Sequence, residues 1–142
     1  MAWRTGYPFG VNLARGYPRF NPGEYTASDI LGRHEADAAL ILASDPLANF
    51  HDQAREHLKS IPYIALDPKE TPTTRHATVT FHVAAYGINV PGTVYRMDDV
   101  PIPLRPAFES PHPSDYTILR GIEKRVRQLL QAKSPLRTTA AS

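Results

Sequence analysis

Polar residues that could contact a ligand follow two apolar segments of the sequence. Ser44-Asp45-Pro46 comes directly after the apolar run Asp37 to Ala43, and the segment Asp67 to Thr74 follows the run Pro62 to Leu66. Continuous apolar runs of this length are typical of strands covered on both faces in a parallel sheet. Because open α/β sheets bind ligands at the carboxyl ends of their strands, the two polar segments could together hold the polar end of a nucleotide. The alternative is that Asp, Pro and Thr here only end strands and cap helices.

The sequence gives little support for a metal site or for a catalytic site. His51 and His57 lie six residues apart on one predicted helix, which places them on different faces about 120° apart, and no His-Glu-x-x-His motif occurs. The stretches Arg33-His34-Glu35 and Asp98-Asp99 contain acids and a possible base, but solvated turns commonly have this composition. The sequence also lacks a nucleophile elbow and a glycine-rich phosphate loop. We therefore predict no catalytic residue and no metal ligand.

The composition of the 142 residues narrows the classes of function further. With no cysteine, this chain supplies no thiolate nucleophile, no disulfide and no ligand to an iron–sulfur cluster. A net charge of +2 is too small to indicate a nucleic-acid partner. The sequence contains no apolar run of about 18 residues, the length needed to span a membrane, and its N-terminus does not resemble an export signal. We expect a cytoplasmic protein with no membrane or nucleic-acid partner.

The elements that must position the polar segments can be predicted from caps and apolar patterns. Thr26, with Asp29 three residues later, predicts a short helix that stops near Gly32. A strand Asp37 to Ala43, a helix Asn49 to Ser60 capped by Asn49, and a strand Pro62 to Leu66 then form a right-handed βαβ unit. A third strand is predicted at Ala77 to Val83. The fold class predicted is α/β, a single three-layer αβα domain over residues 26–131 with a mainly parallel, Rossmann-like sheet, in which Leu40, Ile41, Ile64 and Leu66 are buried.

The remaining segments are extended, helical or irregular. Gly92 to Asp98 and Val100 to Leu104 predict a hairpin-like excursion, and Ser114 caps a final amphipathic helix. We predict an irregular N-terminal arm over residues 1–25 and a flexible tail over residues 132–142. Aromatic and methionine side chains on the arm and the excursion have the composition of interface anchors, with packing on the chain's own sheet as the alternative. These side chains are Trp3, Tyr7, Phe9, Tyr17, Phe20, Tyr95 and Met97.

Five ordered blocks of the sequence carry a resemblance to a known family. The blocks are GYPRFNPGE at Gly16 to Glu24, DAALILASDP at Asp37 to Pro46, IPYIALDPKETPTT at Ile61 to Thr74, GTVYRMDDVPIPLR at Gly92 to Arg105 and PSDYTIL at Pro113 to Leu119. They resemble the carboxyl-terminal part of the B subunit of formylmethanofuran dehydrogenase, over about Thr5 to Leu130. The family belongs to the molybdopterin oxidoreductases, and the resemblance implies the parallel αβα sheet of their third domain. It also implies that Ser44, Asp45, Pro46, Asp67, Thr71 and Thr73 would face the guanosine end of a pterin dinucleotide.

The resemblance also implies what this chain would not do. In the family, the cysteine ligand of the metal, the iron–sulfur cysteines and most pterin contacts lie in upstream domains, and a chain without cysteine has none of these groups. Methylotrophic bacteria have a related formyltransferase/hydrolase complex that passes a formyl group from tetrahydromethanopterin to a methanofuran-type carrier and releases formate. Its B subunit looks like a cofactor-free remnant, with hydrolysis on the A subunit and formyl transfer on the D subunit.

Three functions follow as expectations. The first is a non-catalytic structural subunit of such a formyltransferase/hydrolase complex, with the other subunits as its partners and no cofactor bound by this chain. The second is a fragment of the B subunit of a molybdenum or tungsten dehydrogenase that carries part of the site for molybdopterin guanine dinucleotide. The third is a stand-alone nucleotide-binding module.

Overall fold

A computed structural model describes residues 10–21 and 23–132 of the chain. The chain divides between Phe81 and His82 into two compact units. Trp3, Tyr7 and Phe9 of the predicted arm, and the predicted tail beyond Ala132, lie outside the described residues. No helix within the described ranges is both long enough and apolar enough to cross a membrane.

The first unit contains a three-stranded sheet with helices in the connections between strands. Its strands follow the order β1-β2-β3, and β1 pairs with β2 in parallel from Ala39 opposite Tyr63 to Leu42 opposite Leu66. The predicted α/β class with a parallel sheet is confirmed at this level. In chain order the elements are α1 (Ala27–Gly32), β1 (Ala39–Leu42), α2 (Pro46–Asn49), α3 (Asp52–Ser60), β2 (Tyr63–Asp67), α4 (Pro72–His76) and β3 (Val79–His82).

Local capping explains where α1 and α3 begin. Thr26 caps α1 as predicted, because its hydroxyl oxygen accepts a hydrogen bond from the backbone N–H of Asp29 at 3.3 Å. The predicted helix Asn49 to Ser60 is instead interrupted, since Phe50 has an extended backbone. The cap of α3 is His51, whose Nδ1 accepts from the N–H of Ala54 at 3.4 Å. Asn49, the predicted cap, is therefore the last residue of α2.

The core of the first unit lies on one face of the sheet. Leu31 of α1 and Leu58 of α3 pack there with Tyr63 and Ala65 of β2, and the odd-numbered residues of β1 contact the same cluster. Burying these side chains removes apolar surface from water, which stabilises the fold by about 25 cal/mol for each Å². The helices α1 and α3 therefore cover the odd-numbered face of β1.

The opposite face of β1 is less covered. Leu66 is buried and Ile41 and Ile64 are half-buried, whereas Leu40 is 46% exposed in the single chain. The reason is positional: β1 is an edge strand, and its even-numbered side chains point away from the face that α1 and α3 cover. Burial of Leu40 in an assembled protein stays a prediction.

The second unit contains a β-hairpin and a long helix. Strands β4 (Gly92–Tyr95) and β5 (Pro101–Leu104) pair antiparallel, which confirms the predicted hairpin-like excursion. Helix α5 (Asp115–Ala132) begins after Ser114, whose Oγ accepts from the N–H of Thr117 at 3.2 Å, so the predicted cap is correct. None of the residues of α5 is buried.

Candidate functional site

The carboxyl ends of β1 and β2 border a polar depression of about 500 Å³. Four of the six residues predicted to contact a ligand line it: Ser44, Asp45, Asp67 and Thr71. The parallel pairing of β1 with β2 explains this, because it brings the segments that follow the two strands to the same edge of the sheet. Ala43, Ala48, Asn49 and Lys69 complete the lining.

Asp45 and Thr73 are bonded to each other. Asp45 Oδ1 accepts hydrogen bonds from the hydroxyl of Thr73 at 2.6 Å and from its backbone N–H at 3.2 Å. The same hydroxyl oxygen accepts from the N–H of Leu47 at 3.1 Å. Thr73 is fully buried, so its side chain links the start of α2 to α4 and faces protein.

Thr71 also has a structural role. Its Oγ1 accepts from the N–H of Thr74 at 3.1 Å, and the Oγ1 of Thr74 accepts from the N–H of Thr71 at 2.8 Å. This reciprocal pair is a capping box at the start of α4. Beside it, the hydroxyl of Tyr63 donates to the carbonyl of Thr73 at 2.9 Å. Burial, with a smaller contribution from the carboxylate of Asp45, raises the pKa of Tyr63, so this phenol stays a hydrogen-bond donor.

Pro46 does not belong to the polar depression. It is buried at the first turn of α2 and lines a second, apolar groove of about 300 Å³. That groove runs along β1 and includes Leu31, Leu40, Leu42 and Phe50. The structure therefore separates Pro46 from its sequence neighbours, although Ser44 borders both spaces.

Three polar groups at the depression retain hydrogen-bonding capacity. Asp67 accepts from the N–H of Lys69 through Oδ1 at 3.0 Å, and its Oδ2 has no partner among the described residues. The hydroxyl of Ser44 and the ammonium of Lys69 likewise have none within the described ranges. A carboxylate oxygen can accept from donors such as the N–H groups of a purine, and an ammonium can pair with a phosphate.

Sequence reasoning missed Lys69 and Asn49 as lining residues, although both lie in or beside the segments that it selected. Their position after a strand was the only available signal, because a lysine or an asparagine in a loop is ordinary. The turn that exposes Ser44 was also not predicted. Ala43 has a left-handed backbone with φ of 46°, which is uncommon for a residue other than glycine, and it turns the chain out of the sheet.

The histidines of the first unit pack against protein groups. His34 and His57 stack with ring centroids 4.4 Å apart, and His57 Nε2 lies 2.8 Å from the carbonyl oxygen of Ala36. Across the described part of the chain, no group of three or more His, Cys, Asp or Glu side chains could hold a metal ion.

The segments predicted to anchor partners expose several of their apolar side chains. Tyr17 and Tyr95 are about half exposed, at 53% and 52%, and Met97 at the turn of the hairpin is fully exposed. Phe20 is half-buried. The role of these side chains as interface anchors stays a prediction.

Comparison with known proteins identifies related chains over almost the whole sequence. The chain is 48% identical over 132 residues to the B subunit of tungsten-containing formylmethanofuran dehydrogenase 2 from Methanocaldococcus jannaschii, and 42% identical over 129 residues to the protein of the same name from Methanococcus maripaludis. The matched segments are 92% and 89% of this chain but only 30% of each relative. The predicted resemblance to this B subunit is thus confirmed, and the chain spans about a third of the length of these relatives.

A solved structure has a similar fold. It is the crystal structure of the formyltransferase/hydrolase complex from Methylorubrum extorquens with methylofuran, which matches 89% of this chain and 35% of the other chain. The TM-score is 0.68 at 24% sequence identity. No protein-family profile matches the chain.

Proposed function

Because the chain is a homologue of about a third of the B subunit of formylmethanofuran dehydrogenase, we propose that it is a structural component of an assembly of that type and supplies no catalytic group. In this role it would organise other subunits, with hydrolysis and formyl transfer carried out elsewhere in a formyltransferase/hydrolase complex. It would act in one-carbon metabolism without binding a cofactor itself.

The bond between Asp45 and Thr73 carries this proposal. Both residues would face the guanosine end of a pterin dinucleotide if the chain held one, yet their polar atoms are used to join α2 to α4. Thr71 is similarly used to cap α4. Since the chain has no cysteine, it also supplies no thiolate for a metal or an iron–sulfur cluster. These residues are better suited to hold a fold together than to perform a reaction.

A tagged copy of the chain tests the structural role in cells where the chain occurs. We expect subunits with formyltransferase and hydrolase activity to co-purify with it in fixed proportion. Replacing Tyr17, Phe20 and Tyr95 together by serine should abolish this co-purification, with an unchanged circular dichroism spectrum, if these side chains are anchors. Tyr116→Ser is the control, because Tyr116 is also an exposed tyrosine but lies on α5. Absence of both activities from the purified material would refute the proposed function.

A second candidate is a segment of a tungsten or molybdenum dehydrogenase that contributes to a pterin dinucleotide site. Its support is the identity of 48% and 42% to two tungsten enzymes, together with groups of Ser44, Asp67 and Lys69 that have no partner among the described residues. These three residues fit the role partly, because they offer one acceptor, one hydroxyl and one cation. When bound, the cofactor would hold a metal centre for redox chemistry, and these residues would bind only its nucleotide end.

Two measurements separate the candidates. Metal analysis of the purified assembly should find about one tungsten or molybdenum per chain in a dehydrogenase, and neither metal in a formyltransferase/hydrolase. Calorimetry with guanosine diphosphate tests the nucleotide site itself, and Asp67→Asn should weaken any binding by about tenfold or more. Glu56→Gln is the control, since Glu56 is an exposed carboxylate on α3. No heat of binding at millimolar nucleotide would exclude the stand-alone nucleotide module.

A further inference from the structure

The outer edge of β1 carries backbone groups that pair with no strand of the described residues. The N–H of Ala39 donates to the carbonyl of Pro62 at 3.2 Å, and the N–H of Ala43 donates to the carbonyl of Leu66 at 2.8 Å. In a parallel pair, alternate residues direct both their N–H and their C=O toward the neighbouring strand. Leu40 and Leu42 therefore direct theirs away from β2, to the side where the sheet of the described residues has no further strand.

The same two residues also expose apolar side chains. Leu40 is 46% and Leu42 is 37% exposed, and both line the apolar groove of about 300 Å³ beside β1. Their side chains and their backbone groups thus form one continuous surface, which we call the β1 edge. An extended polypeptide with aliphatic side chains would satisfy both parts of this surface, because its backbone pairs with β1 while its side chains fill the groove.

The residues of β1 favour the addition of a further strand, because they include none of the features that usually prevent it. Exposed edges of natural sheets commonly carry a lysine, a proline or a bulge that prevents a further strand from adding. Ala39–Leu42 has the sequence ALIL, without any of these devices. A helix would be a poorer occupant, since its own backbone groups are already paired and would leave those of Leu40 and Leu42 unsatisfied.

We propose that a β-strand with aliphatic side chains, from polypeptide outside these 142 residues, pairs with the outer edge of β1 and extends the sheet. This inference rests on the proposed structural role, because it names the surface through which the chain joins the assembly. The matched segment is only 30% of each relative, so those proteins have further polypeptide of their own that could supply such a strand. A second copy of this chain is therefore not needed to supply the strand.

Amide hydrogen exchange with single-residue resolution, measured on the purified assembly, tests the pairing directly. We expect the N–H groups of Leu40 and Leu42 to exchange as slowly, within about tenfold, as those of Ala39 and Ala43, which β2 already protects. Exchange of Leu40 and Leu42 at least about a hundredfold faster than these neighbours would overturn the proposal, even if the expected subunits co-purify. The proposed function, which depends on those subunits, can therefore stand when this inference fails.

Cysteine labelling distinguishes a paired strand from a helix or loop over the groove, because these 142 residues contain no cysteine of their own. In the assembly, Leu40→Cys should react with a maleimide at least about tenfold more slowly than Gln53→Cys, which lies at an exposed position of α3. Slow labelling with fast amide exchange at Leu40 and Leu42 would show a helix or loop over the groove and would overturn the strand. Cross-linking from Leu40→Cys to a second copy of this chain would overturn the assignment of the strand to other polypeptide.

A proline variant tests whether the edge is needed for assembly. Leu42→Pro removes an N–H that points away from β2, so the existing sheet can be retained while the outer pairing is blocked. We expect it to reduce recovery of the partner subunits by at least about tenfold, and the polar control Leu42→Thr, which keeps the N–H, to reduce it less. Full recovery with Leu42→Pro would contradict the proposal. Amide exchange of Ala39 and Ala43 shows whether the variant keeps the β1–β2 pairing, and the exchange test above does not depend on any variant.

Discussion

Asp45 and Thr73 are 28 residues apart in the sequence and are joined by a hydrogen bond of 2.6 Å between carboxylate and hydroxyl. The bond links the residue before α2 to the interior of α4, next to the carboxyl ends of β1 and β2. The side chains that most resemble ligand contacts in the sequence are thereby part of the internal support of the fold.

Removing the hydroxyl of Thr73 tests this support. Thr73→Val keeps the shape of the side chain but leaves the N–H of Leu47 without its acceptor, so we expect a loss of about 1–3 kcal/mol in the free energy of unfolding. Urea denaturation of the full chain measures it. Thr93→Val on the exposed strand β4 is the control, with an expected change below about 0.5 kcal/mol. Equal effects of the two variants would contradict a structural role for Thr73.

Leu58 should be the most sensitive aliphatic position of α3. It is fully buried in the cluster with Leu31 and Tyr63, so Leu58→Ala leaves a cavity and should cost about 2–5 kcal/mol. The matched change Leu13→Ala, at a leucine that is mostly exposed, should cost less than about 0.5 kcal/mol. Thermal unfolding of both variants checks the difference, and a small effect at Leu58 would mean that this core is not formed in solution.

The second unit contains a phenol with a perturbed pKa. The hydroxyl of Tyr86 donates to the carboxylate of Asp115 at 2.6 Å, and this bond, aided by burial, raises the pKa of Tyr86 from 10 to about 12. The folded protein thus holds this proton more tightly than the unfolded chain does. The stabilisation is complete below pH 10 and is lost as the pH rises toward about 12.

Phenolate absorbance tests the assignment to Tyr86. The difference between the natural chain and Tyr86→Phe isolates this residue from the other tyrosines, and its midpoint should lie near pH 12. In an Asp115→Asn background, the midpoint of the same absorbance difference should move toward pH 10, because the charged hydrogen-bond acceptor is gone. A midpoint that does not respond to Asp115→Asn would show that the hydrogen bond is not the cause.

The hairpin turn depends on a left-handed residue. Asp99 has φ of 62°, and its N–H donates to the carbonyl of Arg96 at 3.0 Å, as in a turn that ends in a left-handed bulge. Asp99→Val should destabilise the second unit by about 1–2 kcal/mol, because a β-branched side chain is strained at positive φ. Asp99→Gly should be tolerated, since glycine adopts this conformation without strain. If thermal unfolding finds the Asp99→Val and Asp99→Gly variants equally stable, the turn has a different conformation in solution.

The sequence by itself determined the features that depend on neighbouring residues. Thr26 and Asp29 predict the start of α1, because capping involves groups three residues apart. The apolar runs predict β1 and β2, and short connections then require the polar segments that follow them to meet at one edge of the sheet. The resemblance to the B subunit of formylmethanofuran dehydrogenase was equally available from sequence, and the comparisons with the two tungsten-enzyme relatives confirm that resemblance.

Only the tertiary structure decided how each side chain is used. Leu40 and Leu66 belong to similar apolar runs, yet Leu66 is buried on the middle strand and Leu40 is exposed on the edge strand, since burial depends on which elements lie alongside. Asp45 and Thr73 are residue types that often contact ligands, but in this fold their side chains form a hydrogen bond with each other. His51 replaces Asn49 as the helix cap because the backbone of Phe50 is extended. The physical reason is common to all three: a side chain's partners are set by distances through space between distant segments, which residue types and spacing along the chain do not specify.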